Sequence, residues 1–420
     1  MEVSYNLRYQ KFNFSNKPLL DKEGEVIIYS KGFRLKGKGA ADKGELINFS
    51  EIKEFYFRNE KIFFITFTKE KYILSNAGTL FDQLLVDMYK SRNEFLMDAL
   101  FMKKGKLKSE FDAHFERLSK FGRPINKARA KLKLFEGSLV IIPSTQDAFG
   151  LNFNFVNFHE FDDLDYKLKI TMDDGVTVFI SQMGNDFEVF EEKMNNILGG
   201  MYGEVVNDVL RNAFLGFDAE TLLKLAYKMR GGKAVSLMDL QKIDKELADR
   251  MVEFIFEDKD FSEKSKILQD LVDEYNLCFG VAKDETMPDS FIRWVLYAIP
   301  EKNVVVFSVL PRWQEGGEED TSKFSHDTYF YKIIMEKGNP ADKVEDKVKE
   351  IDQALVHLNF VKDPCYLDKK DLRHSPFQYA IRKLPYLRIL RKSYLGKASS
   401  TDKKEWQKQA KEVMKSAEIK

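Results

Sequence analysis

The chain is poor in the residues that staple small folds or carry conspicuous chemistry. Only two cysteines, Cys278 and Cys365, occur in 420 residues. Alone they build neither a disulfide framework nor a cysteine-based zinc site, and they fit a reducing compartment. The five histidines, His114, His159, His326, His357 and His374, never stand at an i, i+4 ligand spacing. No Gly-x-Ser-x-Gly elbow is present. Ser325-His326-Asp327 sets three triad residue types side by side, but adjacency in sequence is not triad geometry. No apolar run approaches the ~20 residues that span a bilayer. Met1-Glu2-Val3-Ser4-Tyr5 lacks the basic start and apolar stretch of a signal peptide, so a cytoplasmic protein is expected. Charge of one sign is also missing. Lys plus Arg and Asp plus Glu number 67 each, for a formal net charge of zero, which gives the whole chain no bias towards nucleic acid or membrane.

What the chain does have is apolar and aromatic mass. Phenylalanine occurs 36 times against 10 prolines, and hydrophobic residues make up 44%, a balance that favours sheet-rich cores over disorder. The length suggests two to four domains. An internal repeat organises the first half. Adding 106 to Glu54-Phe55, Lys61–Phe64 and Leu74–Phe81 gives Glu160-Phe161, Lys167–Ile170 and Ile180–Phe187 without a gap. Leu84 then falls on Phe190 and Met88 on Met194. Upstream, Glu23-Gly24 with Val26–Ile28 matches Glu136-Gly137 with Leu139–Ile141 at an offset of 113, which makes the loop at Gly37–Ala41 seven residues longer in the first copy.

Each copy reads as short strands separated by Gly, Asp, Asn and Lys turns, with Asp173-Asp174-Gly175 as a hairpin signal. An amphipathic helix follows, with Phe81, Leu84, Leu85, Met88 and Leu96 on one face. An antiparallel meander closed by one helix resembles the pleckstrin-homology-like superfold, which hosts lipid, peptide and histone binding without a shared motif. The expected class is therefore α+β. Tandem PH-like antiparallel sheets, each closed by a C-terminal helix, occupy 1–103 and 130–214, with a basic connector over 104–129. Residues 215–275 read as helical and 276–368 as a third sheet-and-helix unit, with strands near 277–281, 291–298, 304–310 and 328–334 and a closing helix over 342–358. Residues 369–420 read as a basic helical tail.

Inside the helical segment, Ala219–Met229 is one helix stopped by Gly231-Gly232, Leu237–Phe256 a second and Ser262–Tyr275 a third. Paired helices after a Gly-Gly turn raise a helix-turn-helix. Asp239, Lys242, Asp244 and Lys245 put as many acids as bases at the start of the second helix, which suits a packing role better than a DNA groove. The loop Glu315–Asp320 is long and acidic. Segments at 232–237, 351–367 and 381–397 resemble stretches of uncharacterised bacterial proteins. The likeness would span roughly 220–410, implies a defined family and carries no catalytic signature.

Three local patterns bear on binding. Arg34, Lys36 and Lys38 alternate along one strand and so share a face. They are candidate contacts for an anionic membrane or phosphate, against the default of a solvated strand. Gly37-Lys38-Gly39 with Gly44 precedes a strand, whereas a phosphate-cradling loop needs a helix N-terminus directly after it. His159-Glu160 with Asp162, Asp163 and Asp165 is the densest acid cluster, yet it lacks Ca²⁺-loop spacing.

From Arg382 to Lys420, twelve bases stand against four acids, a surplus of eight. Arg382, Lys383, Arg388, Arg391 and Lys392 are its candidate contacts for an anionic membrane or nucleic acid. The favoured reading is that the tail packs its apolar residues on the body and offsets that body's net charge of −8, with an external partner as the alternative. Asp402 with Glu405 makes a capping box for a last helix, with Trp406, Ala410, Val413, Met414 and Ala417 on one face. The expectation is a non-enzymatic interaction or scaffold protein with a protein partner, no catalytic residue, no cofactor and no metal site. The alternative is a peripheral binder of membrane, phosphate or nucleic acid. Oligomeric state is left open.

Overall fold

The computed structural model describes residues 3–39, 42–204, 206, 210–211, 214, 216–256, 262, 268, 277–283, 290–309, 313–314, 327–334, 344–358, 370, 377–400 and 402–419. The expected helix Ser262–Tyr275 as a whole, the acidic loop at 315–320, Cys365, Ser325, His326 and His374 lie outside them. The chain is a mixed α+β protein with three antiparallel sheets. It divides into two compact units, one of Met1–Met194 with Lys370–Lys383, the other of Asn195–Lys369 with Leu384–Lys420.

The first unit holds two sheets of identical plan. Strands β1 (Val3–Phe12), β2 (Pro18–Tyr29), β3 (Gly32–Gly37), β4 (Glu45–Asn48), β5 (Ile52–Arg58), β6 (Lys61–Thr66) and β7 (Lys71–Ser75) are followed by α1 (Phe81–Ala99). The strand order is β4-β3-β2-β1-β7-β6-β5, antiparallel throughout. The second set is β8 (Leu107–Leu118), β9 (Pro124–Phe135), β10 (Ser138–Pro143), β11 (Phe149–Asn152), β12 (Val156–Asp162), β13 (Lys167–Met172), β14 (Thr177–Ser181) and α2 (Phe187–Glu204), in the matching order. Alternation puts Val26, Ile28, Phe33, Leu35, Ile62 and Phe64 inside the first sheet. Leu84, Leu85 and Met88 of α1 close that core, each contributing about 1.5–3 kcal/mol by burial.

The repeat is deeper than its sequence match. Tyr9 pairs with Leu74 as Phe115 pairs with Ile180, so the offset of 106 holds from the first strand to β3 and again over β6 and β7. Over β4 and β5 it is 104, and the register sets Glu54-Phe55 against Phe158-His159, which corrects the expected match to Glu160-Phe161. The expected offset of 113 upstream is corrected, because β2 corresponds to β9 and Glu136-Gly137 is the turn before β10. The loop after β3 is two residues longer than the one after β10, not seven. The expected connector over 104–129 carries β8 and the start of β9, whose Phe111, Ala113 and Phe115 are buried at period two.

Homologous interior positions have been solved differently. Lys11 in the first sheet bonds Glu45 at 2.9 Å and Glu70 at 3.0 Å, while Tyr72 donates to Glu45 at 2.8 Å. Its counterpart Arg117 instead lies 4.7 Å over the Phe149 ring, and burial pushes its guanidinium below the usual range, opposed by Asp174.

The second unit contains α3 (Ala219–Lys228), β15 (Val235–Ser236), α4 (Leu237–Ile243), α5 (Lys245–Phe256), β16 (Cys278–Lys283), β17 (Ser290–Ile299), β18 (Val304–Val309), β19 (Trp313–Gln314), β20 (Thr328–Lys332) and α6 (Val344–His357). The segment from 370 then supplies α7 (Gln378–Lys383) to the first unit. It is followed by α8 (Pro385–Ser393), β21 (Tyr394–Ala398) and α9 (Lys403–Ile419) in the second. The third sheet runs β15-β16-β17-β18-β20-β21, with β19 on β17.

One of its faces meets α4, α5 and α9 through Phe279, Val295, Tyr297, Val306, Leu240, Met251 and Trp406. The helix α6 lies on β17, and α8 lies on α6 and β20. Cover on both sides explains the unbroken apolar runs of β17 and β18. The expected single helix over 237–256 is broken at Asp244, whose extended backbone (φ −161°, ψ 135°) lets its carboxylate cap Leu247 N at 3.0 Å. The expected helical tail includes an edge strand, β21, paired to β20.

Gly280 shows how tight this sheet is. A Cβ there would sit 2.1 Å from the Trp294 indole. Gly280→Ala is expected to cost about 1–3 kcal/mol by overpacking, read as a lower denaturation midpoint with an unchanged denaturant slope.

Candidate functional site

A cleft of about 860 Å³ opens in the first unit between α1 and the outer face of β8 and β9. Cross-strand register places it. Glu110 faces Lys133, Asp112 faces Lys131 and His114 faces Arg129, so all six side chains leave the sheet on one side. Val86, Lys90 and Glu94 of α1 form the opposite wall. Lys133 bridges Glu94 at 3.6 Å and Glu110 at 3.4 Å, and Lys131 reaches Glu110 at 3.5 Å. Partial burial works to raise the Glu110 carboxyl, but the two lysines outweigh it and hold it below its ordinary value. The cleft is thus a mixed-charge surface with its central acid already neutralised.

One end of the cleft is closed by a polar clamp from α1 onto the loop after β10. Arg92 is fully buried and grips Asp147 with two parallel bonds, Nε at 2.7 Å and Nη2 at 2.8 Å. Burial alone would depress the guanidinium; the carboxylate outweighs it and raises it. Asn93 donates to Pro143 O at 3.1 Å and Gln146 O at 3.0 Å, and accepts from Ala148 N at 2.8 Å. An offset of 106 from Arg92 and Asn93 gives Leu198 and Gly199, so α2 lacks the clamp.

Beside the clamp, α7 lies against the open edge of the first sheet. Tyr379 packs edge-on to Phe95 (5.1 Å) and Phe67 (6.1 Å), and Arg382 stacks on Phe67 at 4.5 Å. Phe377 meets Phe101 at 6.0 Å. The Lys383 ammonium donates to the backbone carbonyl of Lys53 in the edge strand β5. Burial first, and the nearby Arg92 charge second, pull that ammonium below its ordinary range. Nη1 of Arg92 is buried without a well-aligned partner, and the Tyr379 hydroxyl is the polar group beside the guanidinium.

The basic residues singled out in the sequence are dispersed. Arg34 lies in β3 opposite Ile27, with its Nε buried and unpartnered. Lys36 meets Glu25 at 3.7 Å, and Lys38 meets Glu23 at 2.7 Å, so that strand face carries its own counter-charges. Its counterparts in the second copy, at the offset of 106, are Val140, Ile142 and Ser144. Arg382 and Lys383 belong to the first unit and are engaged as above, while Arg388, Arg391 and Lys392 belong to α8 in the second. Asp42 ties the Gly-Lys loop shut, accepting from Gly37 N at 3.2 Å and Gly44 N at 2.9 Å.

In the acid run, Asp162 caps its own turn through Leu164 N and Asp165 N. Among the described residues no three His, Cys, Asp or Glu side chains converge as metal ligands, and no helix is long and apolar enough to cross a membrane. Burial pushes the Cys278 thiol up to about 12, away from nucleophilic range.

The sequence reading missed Arg92, Asp147, Asn93 and Tyr379 as a group. It also missed Asp352 of α6, a buried acid whose oxygens accept from Ala234 N at 3.2 and 3.1 Å. Burial lifts its carboxyl to about 8, with the Ala234 bond and Lys233 opposing.

Two predictions come from these groups. Asp147→Ala strands a buried guanidinium and is expected to cost about 2–3 kcal/mol, below the full range for a buried pair because the acid is partly wet; chemical denaturation of the full chain measures it. For Asp352 the folded carboxyl titrates above its unfolded value, so the folded state holds the extra proton between pH 4 and 8. Stability therefore falls as pH rises through that window, by at most ~1.4 kcal/mol per pH unit. Asp352→Asn is expected to flatten that slope in denaturation midpoints measured across it. Comparison with protein-family models and with curated proteins finds no match for this chain.

Proposed function

We propose that the chain is a non-enzymatic protein-interaction scaffold whose first two sheets are PH-like modules, and that the peptide surface of the first module lies between edge strand β5 and α1. The observation that carries this reading is the occupant of that surface. Residues 377–383 are part of the first unit, although the chain on both sides of residues 370–383 belongs to the second. They hold on as a bound peptide would, with Tyr379 and Phe377 as aromatic anchors, a stacked Arg382 and a lysine on a free edge carbonyl. The strand order, four strands in sequence and then three joined through β1 and β7, supports the PH-like plan. The anion-binding reading of Arg34, Lys36 and Lys38 loses ground to their pairing with Glu25 and Glu23.

The test uses the full chain and a fluorescent peptide copying residues 377–384. In the wild type the surface is filled in cis at an effective concentration in the millimolar range, and the peptide is largely excluded. Tyr379→Ala with Arg382→Ala should empty the surface and bind the peptide at least tenfold more tightly by anisotropy. Equal, negligible binding by both proteins would sink the reading.

A further inference from the structure

The two sheets of the first unit carry opposite charge on the same outward file of side chains. At the offset of 106, Asp21, Glu23 and Glu25 of β2 correspond to Lys127, Arg129 and Lys131 of β9. In the first sheet each acid of the file has a base beside it. Asp21 meets Arg8 of β1 at 2.6 Å, Glu25 meets Lys36 of β3 at 3.7 Å, and Glu23 meets Lys38, just past β3, at 2.7 Å. The neighbours did not reverse with the file. Arg8 corresponds to His114, Lys36 to Ile142 and Lys38 to Ser144. Arg129 therefore faces a histidine on β8 and has a serine where its counterpart has a counter-charge. Its side chain makes no hydrogen bond or ion pair among the described residues.

This file floors the cleft beneath α1, and Lys90 in the opposite wall is likewise without an ion pair among the described residues. The other charges are settled within the protein. Lys133 bonds Glu94 and Glu110, while Lys131 reaches Glu110 and faces Asp112. Two cations thus remain without a counter-charge across a cleft of about 860 Å³, inside the ~300–1,000 Å³ typical of small-molecule sites. A phosphate ester answers both at once. The arginine fork takes two of its oxygens in one plane, and the lysine meets the remaining charge as a point.

The rest of the lining says what the phosphate is attached to. Asp112, Ser144 and Gln182 offer acceptors and donors of the kind that hold hydroxyl groups. Among the described residues no phenylalanine, tyrosine or tryptophan lines the cleft, which leaves a flat base or ring nothing to stack on. We infer that the cleft binds a small phosphorylated sugar, with its phosphate on Arg129 and Lys90 and its hydroxyls on Asp112, Ser144 and Gln182. A carboxylate that would repel a bare anion is then part of the recognition, because Asp112 accepts from a hydroxyl while Arg129 holds the phosphate. None of these residues belongs to the peptide surface between β5 and α1, so the two readings stand or fall separately.

The experiment is calorimetric titration of the full chain, at fixed ionic strength, with glucose 6-phosphate, ribose 5-phosphate, the two unphosphorylated sugars and inorganic phosphate. At least one sugar phosphate should bind saturably and about tenfold more tightly than inorganic phosphate or its own sugar. Arg129→Ala and Lys90→Ala should each weaken that binding about tenfold. Their melting temperatures should stay at the wild-type value, because neither side chain bonds the protein. Asp112→Ala should weaken the sugar phosphate and leave inorganic phosphate as it was. Lys36→Ala, which removes an exposed base from the first sheet, should change nothing.

Four results would overturn the inference. One is the absence of saturable binding by both sugar phosphates. Another is undiminished binding by the Arg129→Ala, Lys90→Ala double variant, which would put the ligand elsewhere. A third is equal affinity for inorganic phosphate, the mark of a bare anion site. The last is Arg129-dependent pelleting of the chain with phosphatidylserine vesicles, which would give the phosphate to a lipid.

Discussion

A guanidinium with no access to water must find a carboxylate, and the first unit is arranged around that demand. Arg92 sits on a helix whose other face closes the core of the first sheet, and its partner Asp147 sits on a loop of the second. The helix therefore belongs to both copies. Asn93 repeats the tie in neutral form through three backbone groups. Because the Asp147 end is wet, the pair avoids the full desolvation of two ions. The cleft, the clamp and the seat of α7 all take their positions from this one helix.

Duplication made such specialisation possible. Two sheets with one strand order supply the same scaffold twice, and each position outside the cores was then free to take a different solution. Lys11 satisfies its charge with two acids, while Arg117 lies on an aromatic face. The helix α1 carries a clamp, and α2 carries leucine and glycine at the same places. One fold thus accommodates either solution at the same place, because the apolar cores beneath are shared.

Much of this plan was legible in the sequence. Apolar alternation marked β6, β7, β13 and β14, and the spacing of Leu84, Leu85 and Met88 marked the buried face of α1. The strands β16, β17, β18 and β20 and the helix α6 were also visible, because runs of valine and aromatic residues have few other uses. β8 escaped because Asp112 and His114 between Phe111, Ala113 and Phe115, with Lys108, Glu110 and Glu116 around them, gave it the composition of a linker. β21 escaped because a short strand containing glycine is defined by its partner, β20, and not by itself. The candidate site was hardly legible at all. Arg92 and Asp147 stand 55 residues apart, and Lys383 and Lys53 stand 330 apart. An ion pair or a single backbone contact imposes no period on a chain.

The placement of α7, β21 and α9 also sets an order in time. A ribosome delivers residues 377–419 after everything else described here, yet α7 covers the edge of the first unit and Trp406 of α9 plugs the core of the second. Neither unit can finish folding while the strands wait for those residues. The nascent chain thus carries the bare Phe67 and Phe95 rings and the open face of the third sheet until residues 377–419 have been made. Apolar surface exposed in this way makes an incomplete chain prone to aggregate, and a premature stop near residue 376 would leave both units unsealed rather than one.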